Sequence, residues 1–342
     1  MKIGVTGGAG FLGTNICIAA KEKGYEVVAF DNFVRSGSDR NAHILKNKFN
    51  IETIHGEARI QDDWRKLGEV DAIVHLAGQP GIPASLENPV FDFQVNACGT
   101  LYGLDFARKN KIPFIYASTN KIYSDAINNI PLMEGEKRYK YHDQKYVNGI
   151  SESFPMDSAG AHPHSPYGVS KASGDLLTQE FFHAFGVPTV VFRMSCIYGL
   201  YQNGVSEQGW TDYFVRQRIL GDNKLIYYGN GKQVRDVLFG SDAAEAYLLA
   251  LEHIDQLKGS VFNLGGGTDH NASLIEWVSV LNKYTDKEPM QIRHEDWRLA
   301  DHRVYISDTS KFKKVTGWTP KVSIEEGIKQ MVDAYQGGLY EA

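Results

Sequence analysis

Tyr167 and Lys171 stand in the run HSPYGVSKASGDLL, four residues apart. On a helix that spacing puts both side chains on one face, close enough to meet. A phenol with a pKa of ~10 is a poor acid or base at neutral pH. An ammonium beside it stabilises the phenolate and lowers that value. Such a pair can carry a proton to or from a hydroxyl or a carbonyl. The same spacing occurs by chance on solvated helices, so the pair needs further residues before it implies chemistry.

The N-terminal run MKIGVTGGAGFLGTNICIAAKEKGYEVVAFDNF supplies them. A short apolar stretch, 3–6, reads as a buried strand. Gly7, Gly10 and Gly13 follow at three-residue spacing, then a helical pattern, then a second apolar stretch at 27–30 that ends in Asp31. This is the order a dinucleotide-binding unit requires. Gly7 allows the tight turn, Gly10 lets the backbone approach a pyrophosphate at the helix N-terminus, and Gly13 lets helix and sheet pack. Asp31 can accept hydrogen bonds from ribose hydroxyls and repels a 2′-phosphate, which favours NAD over NADP. Arg35 and Arg40 stand nearby and could accommodate such a phosphate.

The 342 residues carry a formal charge of −5, which leaves no basic footprint for nucleic acid. Apolar runs are far shorter than the ~20 residues a membrane span needs. The first strand begins at residue 3, so no leader peptide is expected. Cys17, Cys98 and Cys196 are scattered, without metal-ligand spacing, and fit a reduced cytoplasm. No zinc or other metal site is expected. His162 and His164 flank a proline in a loop and are read as positioning it.

Strand and helix signals alternate through about residue 195. Strands are expected at 3–6, 27–30, 51–55, 72–76, 114–117 and 189–193, and helices at 11–22, 61–67, 91–109 and 167–185. Such alternation predicts an α/β fold with a doubly wound parallel sheet covered on both faces. The expected division is a dinucleotide-binding domain over 1–195 and a smaller α/β substrate domain over 196–342. Segments around 235–265 should return to the first domain, with helices at 241–253, 272–284 and 323–335. Residues 124–165 read as a long polar loop, which in a compact domain is usually functional.

Taken together these residues resemble the extended short-chain dehydrogenase/reductase family, the Rossmann-type nucleotide-sugar epimerases and dehydratases. The resemblance spans essentially the whole chain. It rests on TGGAGFLG, HLAGQ at 75–79, Asn96, STNKIY at 118–123, Tyr167 with Lys171, FRMSCIYG at 192–199, RDV at 235–237 and WRLADHRVYISDTSKFKKVTGWTPKVSIEEGI at 297–328. It implies catalysis by Thr119, Tyr167 and Lys171. It places Gly7, Gly10, Phe11, Leu12, Gly13, Asp31, Asn32, Glu57, Ala58, Leu76, Ala77, Gly78 and Gln79 along NAD, with Asn96 and Ser118 in support, and it puts Tyr167 and Lys171 against the cofactor as well, Lys171 holding the nicotinamide ribose. It places Thr119, Asn120, Lys121, Gln208, Gly209, Trp210, Arg235 and Arg298 toward a nucleotide-sugar substrate. Arg303 could join the two arginines at the diphosphate, and Tyr227 could stack on the base. Relatives often carry Pro-Gly where this chain has Leu299 and Ala300.

Within the family, TNK, HSPYG, EQGW and GNGKQVRDVL look most like the branch that inverts C2 of a CDP-hexose. Sugar 4,6-dehydratases carry an Asp-Glu pair after the Thr, whereas this chain has Asn120 and Lys121, neither a carboxyl acid or base. Elimination therefore loses its chemistry. The expected reaction is transient oxidation at one sugar carbon and return of the hydride, with Lys171 lowering the Tyr167 pKa. UDP-sugar 4-epimerase and GDP-hexose 2-epimerase activities remain alternatives, as does a non-catalytic NAD-sensing module. The resemblance also implies a homodimer or homotetramer built on the helices at 91–109 and 167–185.

Overall fold

The structure is a computed structural model that describes residues 1–156, 164–298 and 301–340. His162, Leu299 and Ala300 lie outside the described residues. Seven strands form the central sheet, all pairing in parallel. Across it they run Ser260–Leu264, Thr189–Met194, Phe114–Thr119, Ala72–His75, Lys2–Thr6, Glu26–Asp31 and Thr53–His55. Chain order reverses between Lys2–Thr6 and Ala72–His75. At such a switch point the carboxyl ends of the strands open a crevice for a ligand. Helices Phe11–Glu22 and Gly240–Glu252 cover one face, and Gly99–Asn110 and Ser165–Phe185 the other.

Several elements depart from the sequence expectations. Residues 61–67 form a 3₁₀ helix rather than an α-helix. The helix expected over 91–109 is broken into Pro89–Phe93, a π-helical segment Gln94–Cys98, and Gly99–Asn110. The extra residue of a π turn re-aims one side chain, here Asn96. Helix Ser38–Phe49 has no counterpart in the expected elements, because its sequence is mostly polar.

Residues 124–156 are more ordered than a long polar loop. They contain a hairpin, Leu132–Glu134 with Tyr139–Tyr141, and Ile127, Ile130 and Ile150 bury with Tyr123 and Tyr305 in a small core of their own. Arg138 straps the hairpin to Glu276 and Asn271. In the second half, Val234–Phe239 pairs with Cys196–Tyr198, Asn271–Ser273 and Val304–Tyr305. Helices Trp210–Ile219, Leu274–Leu281 and Ile324–Gln336 enclose a separate core around Phe214, Trp277 and Met331.

A buried ion pair fixes the helix that carries Tyr167. Asp175 on Ser165–Phe185 receives two hydrogen bonds of 3.0 Å from the guanidinium of Arg193 and one of 2.7 Å from the Ser118 hydroxyl. Both charged side chains are buried. Removing one partner of a buried pair strands the other charge, at about 3–5 kcal/mol. Arg193→Met should therefore lower the unfolding free energy by about that much in denaturant titrations, and pairing it with Asp175→Asn should recover part of the loss.

Candidate active site

The first strand ends in the glycine turn. Gly7 has φ +67, and a Cβ there would lie 2.8 Å from the backbone nitrogen of Ala77. A Cβ on Gly13 would lie 2.1 Å from the Gly7 carbonyl oxygen. The turn thus closes only without side chains. No side chain of the described residues caps the helix Phe11–Glu22, so its first N–H groups are left for an anion. Asp31 accepts from Ala9 N at 3.1 Å and Phe33 N at 2.9 Å, and burial raises its pKa. Backbone N–H groups of Asn32 and Gly10 also face the carboxylate, and a carboxylate has about four acceptor positions, so it can still take a ribose hydroxyl. A cavity of about 280 Å³ runs over this turn and takes in every cofactor candidate from Gly7 to Gln79. These residues fit a dinucleotide.

Asn96 and Ser118 stand behind this wall. The Asn96 carboxamide accepts from Gln79 N at 2.9 Å and donates to Gln79 O and to Ser170 Oγ, both at 3.0 Å. It thereby ties the strand end after Ala72–His75 to the Tyr167 helix.

A second cavity of about 630 Å³ opens beside the first. Thr119 and Tyr167 line it, together with Asn120, Lys121, Gln208, Gly209, Trp210, Arg235 and Arg298. Thr119 ends its strand and hydrogen-bonds the Tyr167 phenol, which favours the phenolate. Burial outweighs that bond and pushes Tyr167 up to about 12. Burial also brings Lys171 down to about 7, although Asp175 and Asp92 pull it back up. The Lys171 ammonium donates to the Ala117 carbonyl at 2.5 Å and lies 4.4 Å from the Tyr116 ring centroid. The group that favours the Tyr167 phenolate here is Thr119 and not Lys171, contrary to the expectation from the Tyr–Lys spacing. The Lys171 ammonium is held by the strand.

The turn after Thr119 holds no carboxylate. Lys121 Nζ lies 3.3 Å from Asp301, which also accepts from Arg235 Nη2 at 2.6 Å. The two cations hold the Asp301 carboxyl well below the usual range. Arg298 stacks on the Tyr228 ring at 3.6 Å and donates to Ser206 O at 2.8 Å. Two expected substrate residues are elsewhere. Tyr227 is core: its ring stacks on Phe214 and its hydroxyl donates to Leu274 O. Strand alternation turns Tyr228 to the cavity instead. Arg303 is exposed, over the Trp297 ring, and does not line the cavity. Tyr228, Cys196, Gln233 and Asp301 line it without having been singled out in the sequence. Asp301 was legible as the acid inside WRLADHR; Tyr228 needed the register.

Residues 3–265 match the NAD dependent epimerase/dehydratase family. The chain belongs to this family. Over 342 aligned residues it is 37% identical to a CDP-paratose 2-epimerase of Salmonella typhi, covering 97% of this chain and 98% of that one. A dTDP-glucose 4,6-dehydratase of Xanthomonas campestris pv. campestris is 29% identical, covering 97% of this chain and 92% of that one. Among solved structures, the UDP-glucuronic acid 4-epimerase of Bacillus cereus, in complex with UDP-glucuronic acid and NAD, superposes with a TM-score of 0.82. The two are 27% identical, over 99% of this chain and all of that one. The family cofactor is NAD, and the glycine turn and Asp31 described above fit it. Among the described residues no helix is long and apolar enough to cross a membrane, and no cluster of three metal-ligating side chains occurs.

The buried Lys171 generates a stability prediction for the cofactor-free protein. Unfolded, the side chain keeps its proton up to about 10.5; folded, it loses it at about 7. Between those values the unfolded chain binds the extra proton, so stability rises with pH through that window. Below pH 7 the full penalty applies, on the order of 3–5 kcal/mol. Lys171→Met should therefore raise the melting temperature at pH 6 and gain little at pH 10. Thermal melts at the two pH values check this; an equal loss at both contradicts it.

Proposed function

We propose that this chain is an NAD-dependent epimerase that inverts C2 of a CDP-linked hexose, interconverting CDP-paratose and CDP-tyvelose. The observation that carries the reading is the Thr119–Tyr167 pair on a large cavity, with Asn120 and Lys121 where elimination would need carboxyl groups. The near full-length similarity to a CDP-paratose 2-epimerase supports the choice of base and carbon.

Bound NAD would supply a reversible hydride acceptor. The Tyr167 oxygen would take the proton from the sugar hydroxyl and later give it back. Thr119 would hold that hydroxyl in line and, by its hydrogen bond to the phenol, ease ionisation. A phenol pushed up by burial needs positive charge nearby to ionise, and ligand binding beside Lys171 is where we place that charge. Gly7, Gly10 and the first turn of Phe11–Glu22 would hold the pyrophosphate, and Asp31 the adenosine ribose. Arg235 and Arg298 would meet the substrate diphosphate, and the Tyr228 ring would lie against the base.

The division into cofactor and substrate domains near residue 195 is part of the same reading. So is a homodimer through Gly99–Asn110 and Ser165–Phe185, where Leu101, Val169 and Leu176 are exposed. We place the protein in the cytoplasm, where free cysteines stay reduced.

The test is turnover of CDP-paratose, CDP-tyvelose, UDP-glucose and GDP-mannose in deuterated water, followed by NMR. Inversion at C2 of the CDP sugars without deuterium at that carbon is expected. Deuterium at C2 would point to proton abstraction, and turnover of the UDP sugar alone to a 4-epimerase. Tyr167→Phe should lose roughly 10²–10⁴-fold in kcat; full activity in that variant would remove Tyr167 from the acid/base role.

A further inference from the structure

The two cavities share a wall. Gln202, Gln208 and Gly209, from the segment before helix Trp210–Ile219, line both. Opposite them, Arg35 and Ser36 follow the strand that ends in Asp31 and line the cofactor cavity. Two side-chain bridges join the walls. Arg35 Nη2 donates to Gln208 Oε1 at 2.6 Å, and Asn203 Nδ2 donates to Ser36 Oγ at 2.9 Å. From the substrate side, Arg298 holds the same turn by the carbonyls of Ser206 and Glu207. The turn is tight, because Val205 and Gln208 exchange backbone hydrogen bonds at 2.9 and 3.1 Å.

We infer that Arg35–Gln208 and Asn203–Ser36 form a clasp across the adenosine side of the cofactor cavity, and that nucleotide in the neighbouring cavity fastens it. The inference rests on the NAD reading above. Asp31, Arg35, Ser36, Asn203 and Gln208 line the same cavity, so NAD held by Asp31 would leave past these bridges. Arg298 is the link: it lines the nucleotide cavity and grips the clasp turn. A nucleoside diphosphate that orders Arg298 therefore orders the turn, and linkage makes the effect mutual: nucleotide slows NAD release, and NAD tightens nucleotide binding. Arg35 is also spent on Gln208, which removes it as a partner for a 2′-phosphate. An epimerase that restores its cofactor each cycle loses nothing by keeping it enclosed.

The experiment measures NAD release from the loaded full-length protein by trapping with excess etheno-NAD, with and without saturating CDP. Gln208→Ala should release NAD about tenfold faster, the size of one hydrogen bond to a charged group, and Asn203→Ala, which loses a neutral exposed bond, about threefold faster. Arg35→Ala combined with Gln208→Ala should be no faster than the worse single variant, since both remove one bridge. CDP should slow release several-fold in the parent protein and much less in Gln208→Ala. Melting of the cofactor-free variants should match the parent, which separates a clasp from a folding defect. Unchanged release in both single variants, or additive effects in the double variant, would overturn the clasp while leaving the NAD reading intact. A chain that holds no NAD would overturn both.

Discussion

The site depends on one buried carboxylate. Asp175 binds Ser118 on one strand and Arg193 on the next, while itself riding on the helix that carries Tyr167. A hydrogen bond between Thr119 and Tyr167 demands that helix and strand keep their spacing to a few tenths of an ångström. Apolar packing alone tolerates small slips of rotamer and register. A directional, fully buried ionic contact does not, because any slip leaves charge unpaired in a low-dielectric interior. Arg193 extends the bracing, reaching the Tyr123 hydroxyl, which in turn donates to Asn263 on the edge strand. The polar chain under the site thus crosses three neighbouring strands.

Above that brace, burial works against charge on both partners of the Tyr–Lys pair. Tyr167 is held as a phenol and Lys171 carries its proton weakly. The charged form of each is less stable there than in water, and for Lys171 that is a local cost at neutral pH that the rest of the fold offsets. The π-helical turn at Gln94–Cys98 belongs to the same bargain. It gives up regular hydrogen bonding so that Asn96 can face Gln79 and Ser170.

Local features were readable from the sequence, and non-local ones were not. The glycine turn, the helix after it and Asp31 lie within one short stretch, and each is fixed by backbone sterics or strand-end geometry. Thr119, Tyr167 and Lys171 were legible because strand and helix patterns around them are strong. Tyr227 and Tyr228 could not be told apart, since two tyrosines on a strand differ only in which face meets Phe214. Arg303 carried the right charge but lies exposed over the Trp297 ring. The small core inside 124–156 was diluted among polar residues and forms only when Tyr305 arrives from far along the chain. The capture of Lys171 by Ala117 is likewise a contact between distant segments.

Asp301 has a consequence for turnover. It already occupies Arg235 and Lys121, so on the proposed reading a substrate anion would have to compete with a resident carboxylate for both cations. The grip on the nucleotide would be correspondingly loosened. Two epimers on one nucleotide share every contact beyond the inverted carbon, and tight uniform binding would slow the departure of both without speeding their interconversion. A built-in competitor would keep the door open in either direction.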